Sequence, residues 1–502
     1  MNKTHELEKF NPKNIESKKE SFISHRVDNS KIVPSLEDAI KATGLKDGMT
    51  ISFHHHFRNG DYVINYVLKT LDKMGYKDLY LAPSSLNVCH EPIIEYIKSG
   101  LITQIDTSGL RGPLADAISH GLMDNPVIFR SHGGRAAAIE SGVLKIDVAF
   151  LGAPSSDPLG NANGYSRDNE KTTNVICGSL GYAKIDAVYA KTTIILTNHI
   201  VPYPNTPFGI PESQVDYIVE VEDIGDSNGI KSGATRFTTN PKELLIALSA
   251  SKVIINSGLF RDGFSIQFGS GGASLAVAQY LRQSMIDRNY KARFALGGIS
   301  GSIVKLHEEG LIEKLLDVQS FDLEAANSLK NNRFHQQISA TYYASPLNLG
   351  AAVNQLDIVV LSSLEVDVDF NVNVLTGADG MIRGAVGGHQ DTAAGAQLAI
   401  VVVPLLRGRI PCVVDRVNTV VTPGKCVDVV VTDYGVAVNP ARKNIIKTMN
   451  ENHIKLIDIK ELQKIAINMT GNPKPIEYTD KVVGIVTYRD GTEIDKIYQV
   501  KD

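Results

Sequence analysis

Hydrophobic and polar positions follow the same pattern twice along the chain. A short strand pattern led by Asp-Gly begins at Asp47 (DGMTISF) and again at Asp262 (DGFSIQF), 215 residues later. Each is followed by a polar or glycine-rich loop and then by an amphipathic helix pattern. The apolar runs that begin at Ile146 (IDVAFLGAP) and Leu356 (LDIVVLSSL) also correspond, at a spacing of 210 residues. So many units in register predict a tandem duplication.

Each copy alternates apolar strand runs with helical patterns. Runs such as TTIILT and LAIVVVP are apolar throughout, which is typical of strands buried on both faces of a largely parallel sheet. We therefore expect an α/β protein of two tandemly duplicated α/β domains with largely parallel sheets, plus a small C-terminal helix and hairpin. Asp490-Gly491 between two alternating runs indicates the hairpin. The expected segments are an N-terminal arm (1–34), a first domain (35–245), a second domain (246–445) and the C-terminal extension (446–502).

Composition and charge narrow the function classes. The 502 residues carry a net charge of −4, which argues against a general nucleic-acid binder. The longest apolar run, Leu398–Leu406, is far shorter than the roughly 20 residues that span a bilayer. The N-terminal residues lack the apolar segment of a secretory signal. The four cysteines form no close pair, which excludes a cysteine-rich zinc site. We expect a cytoplasmic protein that does not bind a membrane.

Two glycine-rich turns are candidates for chemistry, because ligands of parallel α/β folds bind at the carboxyl ends of strands. The loop GSGGAS opens a helix pattern, so its N–H groups could meet an anion. It lacks the third glycine of a dinucleotide fingerprint and the Gly-Lys-Ser/Thr of a P-loop. A tight strand-to-helix turn without a ligand is the alternative. The loop residues of interest are Gly269, Ser270, Gly271 and Gly272.

The second glycine turn, AVGGHQDTAAGA, places Gly387 and Gly388 before a polar His-Gln-Asp sequence and a helix of small residues. Such a turn can aim N–H groups at an oxyanion. Close packing of a helix on a strand is the alternative explanation of the two glycines.

Acidic residues alternate with apolar ones in SSLEVDVDFNVN. On a strand, Glu365, Asp367 and Asp369 would all point to one face. An inward acidic row needs partners or raised pKa values, whereas an exposed polar face needs neither. Both interpretations remain open.

Histidine and arginine side chains supply candidate anion ligands. His54 and His56 would share a strand face, with Arg58 close behind, and an anion pocket is more economical than a metal site whose third ligand is missing. Local structural bonding is the alternative. Arg111 and Arg135 each lie beside glycine near a predicted helix start, where they could clamp carboxylates or be ordinary surface arginines.

Several of these stretches are similar to those of a known family. INSGLFRDGFSIQFGSGGASLAVA, EVDVDFNVN, GAVGGHQD and VVTDYGVA resemble the CoA-transferase superfamily, whose halves are each an α/β domain. A closer resemblance, over about residues 35–500, is to the alpha subunits of bacterial citrate lyases. It is carried by SFHHHFRNGDYV, TSGLRGPLADAIS, RSHGGRAAAIESG, IDVAFLGAPSSD, CGSLGYAKIDA, VPYPNTP, SGATRFT and FDLEAANSL.

The resemblance implies a transferase that exchanges acetate for citrate on an acyl carrier protein, giving citryl-carrier and acetate. A separate beta subunit would then cleave the citryl thioester to oxaloacetate and regenerate the acetyl-carrier. The carrier, or gamma subunit, would bring a CoA-derived prosthetic group, so no permanently bound cofactor and no metal are expected. The subunits would form a cytoplasmic complex, and we expect an oligomer.

One position departs from the covalent members of the superfamily. They carry a glutamate in a Ser-Glu pair shortly before Asp-Gly, whereas this chain has Gly258 after Ser257. We therefore expect no glutamyl-enzyme intermediate; instead, a citrate carboxylate would attack the acetyl thioester directly and give a mixed anhydride. Glu365 matches a glutamate of the covalent relatives and would orient a loop rather than react.

These expectations assign a role to each candidate. N–H groups around Gly387 and Gly388 would form the oxyanion hole, and Gln390 would orient the thioester. The GSGGAS loop would accept the carrier's arm or its nucleotide end. Citrate would bind between the two copies, on His54, His56, Arg58, Arg111 and Arg135.

Three other functions remain as alternatives. A transferase or hydrolase of free acyl-CoA would share the fold, so only substrate tests separate it. A Rossmann-type dehydrogenase has the GSGGAS loop as its sole support. A scaffold that has kept the fold and lost the chemistry is the non-catalytic alternative.

Overall fold

Two large β-sheets, three small ones and the helices packed on them make up the part of the protein that the structure describes. The computed structural model describes residues 30–167, 175–231 and 238–501. Most of the predicted N-terminal arm, and all but the last residue of SGATRFT, lie outside the described residues. Among the described helices, none combines the length and the hydropathy needed to cross a bilayer.

The first half of the chain forms one sheet with its helices. Side chains cap several helix starts: Ser35 accepts the N–H of Asp38, and Ser131 accepts that of Gly134. In chain order the elements are β1 (Ile32–Val33), α1 (Leu36–Thr43), β2 (Thr50–Phe53), α2 (Val63–Lys73), β3 (Leu79–Pro83), α3 (Ile93–Lys98), β4 (Ile102–Thr107), α4 (Pro113–Ser119), β5 (Val127–Phe129), α5 (His132–Glu140), β6 (Val148–Gly152), β7 (Ser155–Ser156), β8 (Ala162–Asn163), α6 (Ala183–Tyr189), β9 (Thr192–Thr197) and β10 (Tyr217–Glu220).

The second half repeats this alternation. Its elements are α7 (Pro241–Ile255), β11 (Ser265–Phe268), α8 (Gly272–Arg288), β12 (Phe294–Ile299), α9 (Gly301–Glu308), β13 (Leu315–Ser320), α10 (Leu323–Asn331), β14 (His335–Gln337), α11 (Ala340–Ala344), β15 (Ile358–Ser362), β16 (Glu365–Asp367), β17 (Val372–Asn373), α12 (His389–Gly395), β18 (Leu398–Val402), β19 (Leu406–Arg407), β20 (Ile410–Pro411), β21 (Val413–Val414), β22 (Val429–Thr432) and β23 (Gly435–Val438).

The two sheets share one strand order. The first contains β10-β9-β6-β2-β3-β4-β5 and the second contains β22-β18-β15-β11-β12-β13-β14, with every neighbouring pair parallel. Strands β2 and β11 begin 215 residues apart, and β6 and β15 begin 210 apart, as the sequence repeat predicts. The predicted duplicated α/β fold with largely parallel sheets is confirmed.

A side-chain turn is duplicated with the strands. Asp157 accepts the backbone N–H and the side-chain amide of Asn161, at 3.1 and 2.8 Å. In the second half, Asp367 accepts the same two groups of Asn371, at 2.9 and 3.1 Å. Each carboxylate therefore organises its own turn after a short strand.

The C-terminal extension contains α13 (Lys443–Glu451), α14 (Ile459–Thr470) and an antiparallel hairpin of β24 (Tyr478–Thr487) and β25 (Glu493–Val500). The predicted helix and hairpin are therefore present. Strand β24 pairs in parallel with β5, so the hairpin extends the sheet of the first half, although it follows the second half in sequence. The limits of the predicted segments stay a prediction; α7, which packs on α8, spans the predicted boundary between residues 245 and 246.

The carboxyl ends of the strands in the two sheets face each other. Gly109, after β4, bridges Ala385, where a Cβ on Gly109 would lie 2.2 Å from that of Ala385. The flanking N–H of Val386 donates to the carbonyl of Ser108 at 2.7 Å. Successive β15 side chains enter different cores: Val359 joins the large cluster shared with the first half, and Val360 joins the cluster outside the second sheet.

Candidate active site

Three consecutive histidines follow β2 at its carboxyl end. His54 and His56 share a face, as the period of two predicts, with ring centroids 3.8 Å apart. His54 Nε2 contacts the Gly152 carbonyl at 3.0 Å, and burial lowers the pKa of His54 to about 4. His55 Nδ1 contacts the Ser84 hydroxyl at 2.6 Å. His56 is fully buried, and neither of its ring nitrogens has a hydrogen-bond partner among the described residues.

Arg58 and Arg111 bring two guanidinium groups into the same space. Arg58 takes a φ of +53° and lies over the ring of Phe321 from the second half, 4.2 Å from its centroid. Burial, and then the charge of Arg111, lower the pKa of Arg58 to about 10. Burial alone lowers the pKa of Arg111. The charge of Arg111 disfavours that of Arg58, and two guanidinium groups this close form a natural site for an anion.

His132 and Tyr182 complete this side of the site. The Tyr182 ring lies 4.3 Å from that of His132 and 5.1 Å from that of His55. Burial and the nearby arginines lower the pKa of His132 to about 3, so its imidazole is neutral at physiological pH. The pKa of His55 is lowered well below its usual range, by burial and then by His132.

Arg135 is not brought into this cluster. Its guanidinium donates to the Asp186 carboxylate at 2.9 Å and to the Ala82 carbonyl at 2.8 Å, inside the first half. Arg135 and Asp186 are both buried. Burial raises the pKa of Asp186 to about 6, and the Arg135 charge opposes that rise. The contacts are those of a structural ion pair.

The glycine turn of the second half lies against the first half. Gly387 has a φ of +56°, and its carbonyl accepts the His132 N–H at 2.9 Å. Gly388 faces Tyr343, so that a Cβ there would lie 2.4 Å from the tyrosine hydroxyl. The turn and the histidine cluster therefore meet at one place, between the two copies.

Gln390 points away from this space. Its amide group donates to the carbonyls of Val421 and Thr487, at 2.7 and 3.0 Å, and the residue is fully buried. His389 likewise contacts the Thr422 hydroxyl through Nδ1, at 2.7 Å, and burial lowers its pKa to about 4. Both side chains fix the start of α12 to the loops behind it.

Asp391 links the halves directly. Its carboxylate accepts the Ser131 hydroxyl and the Gly133 N–H, each at 2.9 Å. The guanidinium of Arg489, from the C-terminal hairpin, lies 3.4 Å away. Burial raises the pKa of Asp391 to about 6, against the opposing influence of Arg489.

The GSGGAS loop joins β11 to α8 as predicted and is partly open to solvent. Gly271 packs against Ser362, where a Cβ would lie 2.2 Å from the serine hydroxyl, and that hydroxyl also contacts Ser274 at 2.7 Å. Gln267, just before the loop, donates to the Tyr343 hydroxyl at 2.9 Å. Tyr343 therefore connects the GSGGAS loop with Gly388.

The acidic row is shorter than the sequence pattern predicts. Strand β16 ends at Asp367, where the side-chain turn begins, so Asp369 is exposed while Glu365 and Asp367 are buried. Glu365 accepts N–H groups from Asn373 at 3.0 Å and from Asn418 at 3.0 and 3.1 Å. Burial raises the pKa of Glu365 despite these bonds.

Gly258 does not lie near the site. It is exposed in the turn before β11, at the amino end of the strand, whereas the site lies at the carboxyl end. A Cβ on Gly258 would meet nothing within 4 Å. The expectation that this glycine replaces a nucleophile is therefore wrong on position, because a carboxylate there would be at the opposite edge of the sheet.

Sequence reasoning missed five residues that complete the site: His132, Tyr182, Tyr343, Asp391 and Arg489. The sequence contains a signal for two of them. His132 follows Ser131, which caps a helix. Tyr182 follows the turn CGSLG, which is the counterpart of Gly387–Asp391 in the repeat. No local signal marks the other three. No cluster of three metal-ligating side chains occurs in the ranges that the structure describes.

The chain is similar to known proteins over almost its whole length. Residues 29–500 match the family described as "Citrate lyase, alpha subunit (CitF)". The citrate lyase alpha chain of Escherichia coli is 54% identical over 486 residues, which cover 97% of this chain and 94% of that one. The alpha chain of Klebsiella pneumoniae is 56% identical over 472 residues, covering 94% and 92%.

Solved structures are similar at two levels. The putative alpha subunit of citrate lyase from Streptococcus mutans, in complex with citrate, has a TM-score of 0.92 at 56% identity and covers 95% of this chain and 92% of its own. A Pseudomonas malonate decarboxylase hetero-tetramer in complex with malonate has a chain with a TM-score of 0.66 at 15% identity, covering 89% and 94%. The second likeness concerns the fold alone.

Proposed function

The chain belongs to the citrate lyase alpha subunit family, and we propose that it exchanges acetate for citrate on the thioester of an acyl carrier protein. It is an enzyme of the CoA-transferase type. The products are the citryl-carrier and acetate. The observation that supports this proposal best is the meeting of a cationic cluster with the Gly387–Gly388 turn between the two halves. This cluster consists of the half-buried Arg58 and Arg111 with the histidines His54, His56 and His132.

The cationic cluster suits a polycarboxylate. Arg58 and Arg111 supply charge, while the imidazoles of His54, His56 and His132 supply hydrogen-bonding nitrogens. Each of these rings has at least one nitrogen without a hydrogen-bond partner in the described part of the chain. The related Streptococcus mutans protein was solved with citrate. We propose citrate as the ligand of this cluster. Arg135, held by Asp186, supports the cluster from behind rather than binding the substrate.

The proposed exchange balances without oxidation or net proton transfer. An oxygen of a citrate carboxylate attacks the acetyl carbonyl carbon, the C–S bond breaks, and a thiolate and a mixed anhydride form. The thiolate then attacks the citryl carbonyl carbon of the anhydride. The C–O bond to the bridging oxygen breaks, and acetate leaves with that oxygen.

Two groups of residues would accelerate these steps. The cluster would hold the attacking carboxylate at near-attack distance from the thioester. Backbone N–H groups at Gly387 and Gly388 would donate to the tetrahedral oxyanions, where each donor contributes about 3–4 kcal/mol. Gln390 would act from behind by fixing the start of α12, because its amide is bonded to two carbonyls and faces away from the substrate.

The GSGGAS loop is proposed to accept the arm of the carrier. Gly271 has no Cβ, which lets Ser362 pack directly against the loop. Residues 269–272 remain partly exposed at the carboxyl end of β11, where the arm could reach them. The thioester is a substrate group that arrives on the gamma subunit, and the beta subunit would consume the citryl-carrier. We place this complex in the cytoplasm and expect no permanently bound cofactor.

The test combines the purified chain with labelled citrate and either acetyl-CoA or an acetylated carrier protein, with EDTA and without ATP. Mass spectrometry follows the citryl thioester and acetate. Citryl thioester with stoichiometric acetate supports the proposal, and a strong preference for the carrier excludes free acyl-CoA as the natural substrate. Acetate without citryl thioester indicates a hydrolase. No product from either thioester would overturn the proposed exchange.

A further inference from the structure

Asp391 occupies an unusual position for a buried carboxylate. The residue belongs to α12 of the second half, and its carboxylate lies among residues of the first half. The side chain is fully buried there. Its two oxygens accept from Ser131 and from Gly133, the residues on either side of His132. Gly133 admits this approach because it has no Cβ, which would lie 2.6 Å from Asp391 Oδ1.

These bonds close a ring across the two halves. The His132 N–H donates to the Gly387 carbonyl at 2.9 Å, and Asp391 holds both neighbours of His132 from four residues further along the chain. The His132 imidazole and the Gly387–Gly388 turn are thereby fixed to each other. One carboxylate thus sets the distance between the cationic cluster and the proposed oxyanion donors.

The charge of Asp391 has one cationic neighbour among the described residues that contact it. Arg489 reaches it from the hairpin at 3.4 Å and also donates to the Ala344 carbonyl at 2.9 Å. The other titratable groups facing Asp391 are three phenols and the neutral His132 of α5. The phenols belong to Tyr182, which precedes α6, to Tyr343 of α11 and to Tyr488 of the hairpin. None of these carries positive charge at neutral pH.

We infer that Asp391 is a positioning residue of the active site and that Arg489 of the C-terminal hairpin supplies the countercharge that keeps it ionised. The hairpin then contributes a side chain to the support of the site, in addition to covering a sheet edge. This inference rests on the proposed exchange, because it assigns a role to His132 and to the Gly387–Gly388 turn in that reaction. The ionised carboxylate accepts two hydrogen bonds, whereas a protonated one must turn a donor toward Ser131 or Gly133.

The test measures kcat for citryl thioester formation against pH in the full-length wild type and three variants. Since the pKa of Asp391 lies at about 6, kcat of the wild type should fall below about pH 6. Arg489→Met removes the cation and should move this acid limb up by about one pH unit or more. Arg489→Lys should restore it. Lys496→Met, on the exposed face of the same hairpin, is the matched control and should leave the limb in place.

The carboxylates of citrate also titrate at acid pH. Because citrate is present in every assay, a difference between the acid limbs of the wild type and Arg489→Met is due to Arg489. Asp391→Asn should lower kcat at least tenfold at all pH values and abolish the shift caused by Arg489→Met. An acid limb of Arg489→Met that coincides with that of the wild type overturns the inference.

A failure of the proposed exchange is recognised separately, as a wild type that forms no citryl thioester. The ion pair of Asp391 and Arg489 is then tested through protein stability alone. A double-mutant cycle of Asp391→Asn and Arg489→Met measures their coupling free energy from urea unfolding at pH 8 and pH 5. Coupling at pH 8 that weakens at pH 5 supports the ionised pair. Additive effects at both pH values overturn it.

Discussion

At the scale of single residues, Arg111 and Arg135 show how far two similar sequence positions can diverge. Both lie beside glycine near a helix start, and both are candidates for a carboxylate clamp. Arg135 bonds to Asp186 and Ala82 within its own half. Arg111 has no ion pair with any residue in the described ranges and shares its space with Arg58. Whether an arginine has an internal partner decides its availability to a ligand.

Arg111→Ala should raise the citrate KM by roughly 10–100-fold, the effect of losing a hydrogen bond to a charged group, with a smaller change in kcat. The measurement is steady-state kinetics with citrate varied at saturating thioester. Arg282→Ala, an exposed arginine paired with Glu309 on the surface, is the control. An unchanged citrate KM in Arg111→Ala would remove this arginine from the proposed citrate site.

Arg135→Ala should act on stability instead. Removing it leaves the buried Asp186 without its counterion, which costs about 3–5 kcal/mol of unfolding free energy at pH 8. The loss should shrink toward pH 5, because Asp186 has a raised pKa of about 6 and takes up a proton in the folded variant. Urea unfolding at both pH values checks this. A fully stable variant with a raised citrate KM would instead place Arg135 in the substrate site.

At the scale of elements, the strand-to-helix turns were predictable and their side-chain orientations were not. The repeat offsets of 215 and 210 residues predicted paired strands, and these strands occupy equivalent places in the two sheets. The inward turn of Gln390 depends on the carbonyl of Thr487, 97 residues away. Asp391 and Arg489 meet for the same reason, because a C-terminal hairpin returns to β5. No local pattern records such a return.

The turn at Gly388 offers an element-scale prediction. A methyl group there would lie 2.4 Å from the Tyr343 hydroxyl, so Gly388→Ala should displace the turn and lower kcat by roughly 100-fold, the effect of losing an oxyanion donor. Gly388 has a φ of −92°, so backbone strain does not contribute. Tyr343→Phe removes the obstructing oxygen and should recover much of the loss in the double variant. A double variant as slow as Gly388→Ala alone would contradict this explanation.

At the scale of the whole molecule, the candidate site forms where two copies of one fold face each other. The first half supplies the cationic cluster, the second supplies the glycine turns, and the C-terminal hairpin extends the first sheet while touching α12 of the second half. The seam at Gly109 and Ala385 joins the halves beside the site. The proposed function therefore depends on the mutual placement of the two halves as much as on any single residue.

Gly109→Ala tests that placement. Its Cβ would lie 2.2 Å from the Cβ of Ala385 and would force the seam apart, at a cost of about 1–3 kcal/mol in unfolding free energy. Because both halves contribute to the site, kcat should fall and the citrate KM should rise together. Gly350→Ala, where the nearest atom would be 3.4 Å away, is the control. A change in stability with wild-type kinetics would show that the seam does not set the site.

The most direct test of the proposed reaction follows oxygen through a single turnover. The wild type is mixed with an acetyl thioester and a substoichiometric amount of citrate whose carboxylates carry oxygen-18, and the first acetate released is analysed by mass spectrometry. Direct attack by citrate predicts one oxygen-18 atom in that acetate, because the bridging oxygen of the anhydride leaves with it. Unlabelled acetate in the first turnover, with the label retained on a carboxylate of the protein, would contradict direct attack and establish an acyl-enzyme intermediate.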